Sequence, residues 1–154
     1  MGSIRQRGSN SGKYSSQITI NAAPGRVFEY VSDMTRHGEW AQHELQVTRT
    51  SSTDGLGATY SSVAKQFGTQ KETQVVVQHE SPRHFAFDAT GSLGLAHHAF
   101  EVAPAGTGSQ VSKTMELTKP SLMARIMSPM IGKQTRKSLE QDLAGIKQKL
   151  EGAA

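Results

Sequence analysis

The chain has 154 residues, a formal net charge of +4, no cysteine, and only 6% aromatic side chains. That length suits a single domain with its own core, since domains commonly run to about 100–150 residues. The missing cysteine excludes disulfides, thiol nucleophiles and cysteine-ligated metal or iron–sulfur centres. The charge is unevenly spread. Residues 1–13 hold Arg5, Arg7 and Lys13 and no acid, residues 14–118 hold seven bases against ten acids, and residues 119–154 hold seven bases against three acids.

Residues 1–14 are rich in Gly, Ser and Arg and poor in apolar side chains, which predicts a disordered basic tail ahead of one domain over 15–151. The tail has no apolar run behind its bases, and no stretch reaches the roughly 18 apolar residues that span a bilayer, so a cytoplasmic protein is expected. In "YSSQITINAAP", Ile18 and Ile20 alternate with polar residues and predict a strand. Pro24 then opens a helix carrying Val27, Phe28 and Val31, and Asp33 is placed to cap a second short helical turn through "MTRHGEW".

From His43 the period changes to two. Leu45 and Val47 share a face, "TDGLG" signals a turn, and "ATYSSVAKQF" follows. After Gly68, "TQKETQVVVQH" puts Val75 and Val77 in phase, and "HFAFDAT" alternates Phe85, Phe87 and Ala89. "LAHHAFEVAP" and "SQVSKTMELT", joined by "AGTG", complete the strands, which Pro120 ends. "SLMARIMSPMIGKQ" predicts a short helix or turn broken at Pro129, with Ser128 as N-cap of a helix of about 20 residues, roughly 30 Å long. Leu139, Leu143, Ile146 and Leu150 form its apolar stripe.

One strand, two short helices, six consecutive strands and a long helix predict an α+β domain. A curved seven-stranded antiparallel sheet must wrap the C-terminal helix, because that helix carries the one large apolar stripe left to cover the sheet. Five Phe, three Tyr and one Trp are few for the volume so enclosed. An internal void is therefore expected. Met115, Met123, Met127 and Met130 lie close together in the chain, and flexible thioethers suit either an irregular core or a cavity whose contents vary.

"INAAPGRVFEYVSD", "ESPRHFAF" and "LEQDLAGIKQKLE", in that order and spacing, resemble the START-like or SRPBCC superfamily, in its polyketide cyclase/dehydrase and lipid transport branch. The resemblance covers about residues 15–151. It implies a helix-grip fold with a deep apolar cavity between sheet and long helix. It says little about chemistry, since members include carriers, sensors and cyclases.

Six histidines lack metal-ligand spacing, and adjacent His97 and His98 must point to opposite sheet faces, so no metal or other cofactor is expected. No "GxSxG" elbow is present, and the glycine loops are hairpin turns. If Val111, Met115 and Leu117 face inward, so does Lys113; if Phe100 and Val102 do, so does His98. These two would give an oily pocket a polar end. In the plainer reading Lys113 snorkels at the rim and His98 bonds a backbone carbonyl. Trp40 is expected to close one side of the cup. Tyr60, Phe85, Phe87 and Phe100 are expected along the sheet wall, with the four methionines as the opposing lip.

The favoured function is binding or transport of a small hydrophobic ligand such as a lipid, isoprenoid or polyketide, without catalysis. The basic last helix is available for transient contact with an anionic membrane. The alternative is a cyclase or dehydratase using His98 and Lys113 in the same cavity. Nucleic acid is not an expected partner, because neither basic region interleaves aromatic side chains. Oligomeric state is not encoded in any of these features.

Overall fold

The computed structural model describes residues 12–65 and 68–152, so most of the predicted N-terminal tail lies outside the described residues. The element order is β1 (Lys13–Ile20), α1 (Pro24–Ser32), a 3₁₀ helix η1 (Met34–Glu39), β2 (Glu44–Arg49), β3 (Thr59–Lys65), β4 (Thr69–Glu80), β5 (His84–Gly91), β6 (Gly94–Ala105), β7 (Gly108–Pro120), α2 (Leu122–Ile126) and α3 (Ser128–Gly152). All seven strands pair antiparallel in one sheet of order β1-β7-β6-β5-β4-β3-β2. The six consecutive strands form the meander, and β1 closes it beside β7. Since β1 and β2 are then opposite edges, the chain between them must cross the concave face. α1 and η1 make that crossing and plug one end of the sheet.

Local chemistry explains the elements. Pro24 starts α1, where its missing N–H costs no hydrogen bond. The Asp33 carboxylate caps η1 by accepting from the Thr35 N–H at 3.1 Å. Ser121 caps α2 by accepting from the Ala124 N–H at 3.2 Å. One expectation shifts: Ser128 is the first residue of α3 and Met127 forms the junction, so the break before Pro129 is a single residue.

The core fills the end closed by α1 and η1. Ile20, Val27, Val31, Met34, Phe85, Phe100, Val111, Leu143 and Ile146 are almost fully buried there. Phe85 and Phe100 face each other across β5 and β6 with ring centroids 6.3 Å apart, and Trp40 meets Phe100 edge-on at 6.0 Å. Gly145 lets α3 approach this end closely. A Cβ there would lie 2.6 Å from the Trp40 carbonyl oxygen, well inside contact distance.

Further along the same concave face the side chains shrink. Ser62, Ala64, Ala89 and Ala96 stand where bulky residues would be needed to reach α3. The sheet keeps its curvature while its filling runs out.

Candidate ligand cavity

A cavity of about 180 Å³ occupies that thinly filled region, bounded by the concave faces of β2 to β7, the end of η1 and the Ile131–Asp142 stretch of α3. Leu45, Val47, Phe87, Met115, Leu117 and Leu139 supply apolar wall. An engineered apolar cavity of about 150 Å³ suffices for benzene, so this space suits a one- or two-ring molecule as it stands.

The polar groups are concentrated and specific. Lys113 on β7 donates from Nζ to Asp142 Oδ2 at 3.0 Å, with side-chain exposures of 9% and 6%. The second carboxylate oxygen accepts from the Gln42 N–H at 3.3 Å. The ammonium also lies over the Trp40 ring, 4.8 Å from its centroid, and 5.5 Å from that of Phe100. The pair therefore ties sheet, η1 exit and α3 together at the closed end of the cavity.

Two histidines sit beside it in the neutral form. His37 donates from Nε2 to the Val31 carbonyl at 2.8 Å, and burial lowers its pKa to about 4. His98 stacks on Phe87 with ring centroids 4.7 Å apart and 6° between planes. Burial first, and then the Lys113 charge, lower its pKa to about 3. Burial likewise lowers the pKa of His43 and raises that of Glu72, in each case favouring the uncharged form.

On strand β4 the in-phase valines do not mark the inner face, and Val76 between them is the buried one. Val75 and Val77 are exposed on the convex face, while Gln70, Glu72 and Gln74 line the cavity. Gln74 donates from Nε2 to the Ser62 hydroxyl. Trp40 Nε1, His43 Nδ1, Gln74 Oε1 and His98 Nδ1 are buried side-chain atoms without a partner, and all four belong to cavity-lining residues. Orphaned polar atoms are costly in a finished core, and among the described residues these four gather around one cavity.

The residues expected from sequence divide accordingly. Trp40, Phe87, His98, Lys113 and Met115 line the cavity. Phe85 and Phe100 share its face of the sheet but are enclosed by α1, η1 and the base of α3, so they are core rather than wall. Tyr60, on the side of β3 that carries Ser62 and Ala64, likewise packs into the core cluster. Met123, Met127 and Met130 do not form a lip. α2 lies past the end of the sheet, held by buried Ala124 and by the Ser121 N–H donating to the Leu93 carbonyl at 3.0 Å. That position leaves Met123 and Met130 exposed beside Leu122 and Ile126. Lys113 is not a rim lysine, and His98 Nδ1 bonds no carbonyl.

His37, His43, Glu72, Gln74 and Asp142 were not anticipated. Asp142 had a readable signal: it lies three residues after Leu139 and four before Ile146, on the apolar stripe, where an unpaired carboxylate would be costly. Among the described residues no group of three His, Asp or Glu side chains is arranged to hold a metal ion, and no helix is long and apolar enough to cross a membrane.

The family model for polyketide cyclase / dehydrase and lipid transport matches residues 11–151. The chain belongs to that family. Its fold is shared by a Thermus thermophilus protein of known crystal structure, 19% identical, with a TM-score of 0.75, covering 92% of this chain and 99% of that one. A Chromobacterium violaceum protein is 12% identical with a TM-score of 0.73, covering 92% and 99%. DynU16, from the dynemicin biosynthetic locus, is 13% identical with a TM-score of 0.63, covering 92% of this chain and 48% of that one. No match is found among curated protein sequences. At these identities the structural likeness speaks for the fold alone, while the family model supports a ligand-binding domain of the SRPBCC type.

Proposed function

We propose that the protein binds and transfers a small hydrophobic ligand, lipid-, isoprenoid- or polyketide-like, in the cavity between sheet and α3. The observation that carries this is the coincidence of a hollow of about 180 Å³ with the four orphaned polar atoms found among the described residues, all at its wall. Burial of ligand apolar surface, about 25 cal/mol per Å² before ordering costs, supplies the affinity. Native mass spectrometry of gently purified protein, with displacement of the neutral dye Nile red, tests it. A protein that carries no adduct and leaves the dye and a panel of neutral lipids unbound contradicts it.

Delivery at an anionic membrane fits the surface near α2. Leu122 and Ile126 are each 74% exposed and Met123 and Met130 each 51%, which makes an apolar cluster on the surface. Lys119, Arg125, Lys133, Arg136 and Lys137 are exposed in the same stretch, and no acid occurs between Lys119 and Leu139. Apolar tips beside bases suit phosphatidylglycerol bilayers. Salt-sensitive co-sedimentation with such vesicles, lost in Leu122→Ser/Ile126→Ser, is expected; equal binding to phosphatidylcholine vesicles contradicts the electrostatic part.

The cyclase or dehydratase reading keeps one favourable observation, since His98 and Lys113 both line the cavity. Against it, a general base works best with a pKa near the operating pH, and His98 is held at about 3. Lys113 is occupied by Asp142. If catalysis occurs, His98→Asn should abolish turnover and leave affinity largely intact. The carrier reading predicts no turnover to abolish.

A further inference from the structure

We infer that the cavity selects an uncharged ligand, held through a hydroxyl or carbonyl group, and rejects carboxylates and amines. This rests on the cavity being the ligand site. The protein carries +4 and its last segment is strongly basic, a balance that by charge alone favours anions. The wall says otherwise. Among the described residues the lining contains one base, Lys113, against two acids, Asp142 and Glu72. Lys113 is already neutralised by Asp142 at 3.0 Å, and both Asp142 oxygens accept hydrogen bonds. A ligand carboxylate would leave two anions sharing one ammonium in a site with little water, a costly arrangement unless α3 moved away.

Among the described lining residues the three histidines are the other candidates for positive charge, and none is placed to supply it. His37 is fixed by its bond to the Val31 carbonyl, burial favours the uncharged form of His43, and His98 is stacked on Phe87 on the strand beside Lys113, where a second cation would be repelled. A ligand amine would find Glu72 as the one anionic partner among the described lining residues not already paired with Lys113, and burial favours the neutral form of that group. What the wall does offer is unsatisfied and uncharged: the Trp40 indole N–H as donor, Gln74 Oε1 as acceptor, and two imidazole Nδ1 atoms that act as either according to tautomer. That mixture matches a hydroxyl, which donates and accepts, or a carbonyl beside one.

The test compares three ligands with one ring system: 2-naphthol, 2-naphthoate and 2-naphthylmethylamine, which near pH 7 are neutral, anionic and cationic. A volume of about 180 Å³ filled to a density of about 0.74 accepts a molecule of that two-ring scale. Isothermal titration with the full chain is expected to show naphthol binding at least tenfold tighter than either ion. Asp142→Asn keeps an acceptor for the Gln42 N–H and frees the Lys113 charge, so naphthoate should gain at least tenfold. If circular dichroism shows that variant unfolded, Thr135→Lys adds a cation to the wall with the pair intact and should give the same gain. Wild-type preference for naphthoate or the amine overturns the inference, as does a naphthoate affinity unmoved by the folded variant. Failure of all three ligands and of Nile red to bind overturns the ligand-site reading itself.

Discussion

Removing the Asp142 charge leaves the Lys113 ammonium in a wall where its side chain is 9% exposed. Stranding one partner of a buried pair typically costs about 3–5 kcal/mol. Two contributions modify that figure. The Trp40 and Phe100 rings, 4.8 and 5.5 Å from the ammonium, retain about 1–2 kcal/mol of cation–π attraction. In Asp142→Ala the Gln42 N–H also loses its acceptor, worth about 1 kcal/mol. Asp142→Ala should therefore cost about 3–4 kcal/mol, a fall in Tm of roughly 10 °C for a domain of this size. Lys113→Met should cost a similar amount by stranding the carboxylate. The double variant Lys113→Met/Asp142→Leu replaces the pair by apolar volume and should lie within about 1 kcal/mol of the wild type. With Asp142→Leu as the matching single variant, urea denaturation of the wild type, the two singles and the double closes the cycle, with an expected coupling above about 2 kcal/mol. Single variants that each cost less than about 1 kcal/mol, and add, would mean that the pair is hydrated and that the cavity is an open cleft.

Further expectations are independent of that pair. His37 is held neutral with a pKa of about 4, below its unfolded value of about 6.5, so the unfolded chain binds the extra proton between those values. Stability is full above pH 6.5 and should fall by about 1.4 kcal/mol per pH unit toward pH 5, with His98 adding in the same direction; a flat urea midpoint over that range refutes the burial of His37. Gly145→Ala should destabilise by about 1–3 kcal/mol by thermal melting, because the clash with the Trp40 carbonyl outweighs better helix propensity, and a stabilised variant would mean that α3 sits further from the sheet. Ala89→Leu extends into the cavity and should keep or slightly raise Tm while weakening naphthol and Nile red binding at least tenfold; unchanged binding places the ligand elsewhere.

The architecture could be read from the chain because it is set by period and order. Alternating residues in β5 to β7, turn glycines and the stripe from Leu139 to Leu150 leave one way to cover the sheet. The site was harder to see. On β4 the apolar phase, Val75 and Val77, lies on the convex face, and Gln70, Glu72 and Gln74 face inward, so the usual rule that valine marks the inside hid a polar wall. Phe85 and Phe87 share a face and both meet His37 of η1, yet Phe87 reaches the cavity wall and Phe85 does not. No periodicity encodes that. Met123 of α2 and Met130 in the first turn of α3 looked like cavity lining by composition, yet both lie beyond the sheet's edge and are exposed. Asp142 is the one missed residue with a visible clue: a carboxylate on an apolar stripe requires a buried cation, and Lys113 on the inward face of β7 supplies it.

Methyl-resolved NMR during titration with 2-naphthol puts the hollow itself on trial. Ala89, Ala96, Met115 and Leu117 line it, whereas Met123 and Met130 lie exposed beyond the sheet's end. Saturable shifts of the lining methyls with one shared Kd, and near-silence at Met123 and Met130, are expected. Shifts confined to Met123 and Met130, or lining methyls that never move, would mean that the space between sheet and α3 takes no guest.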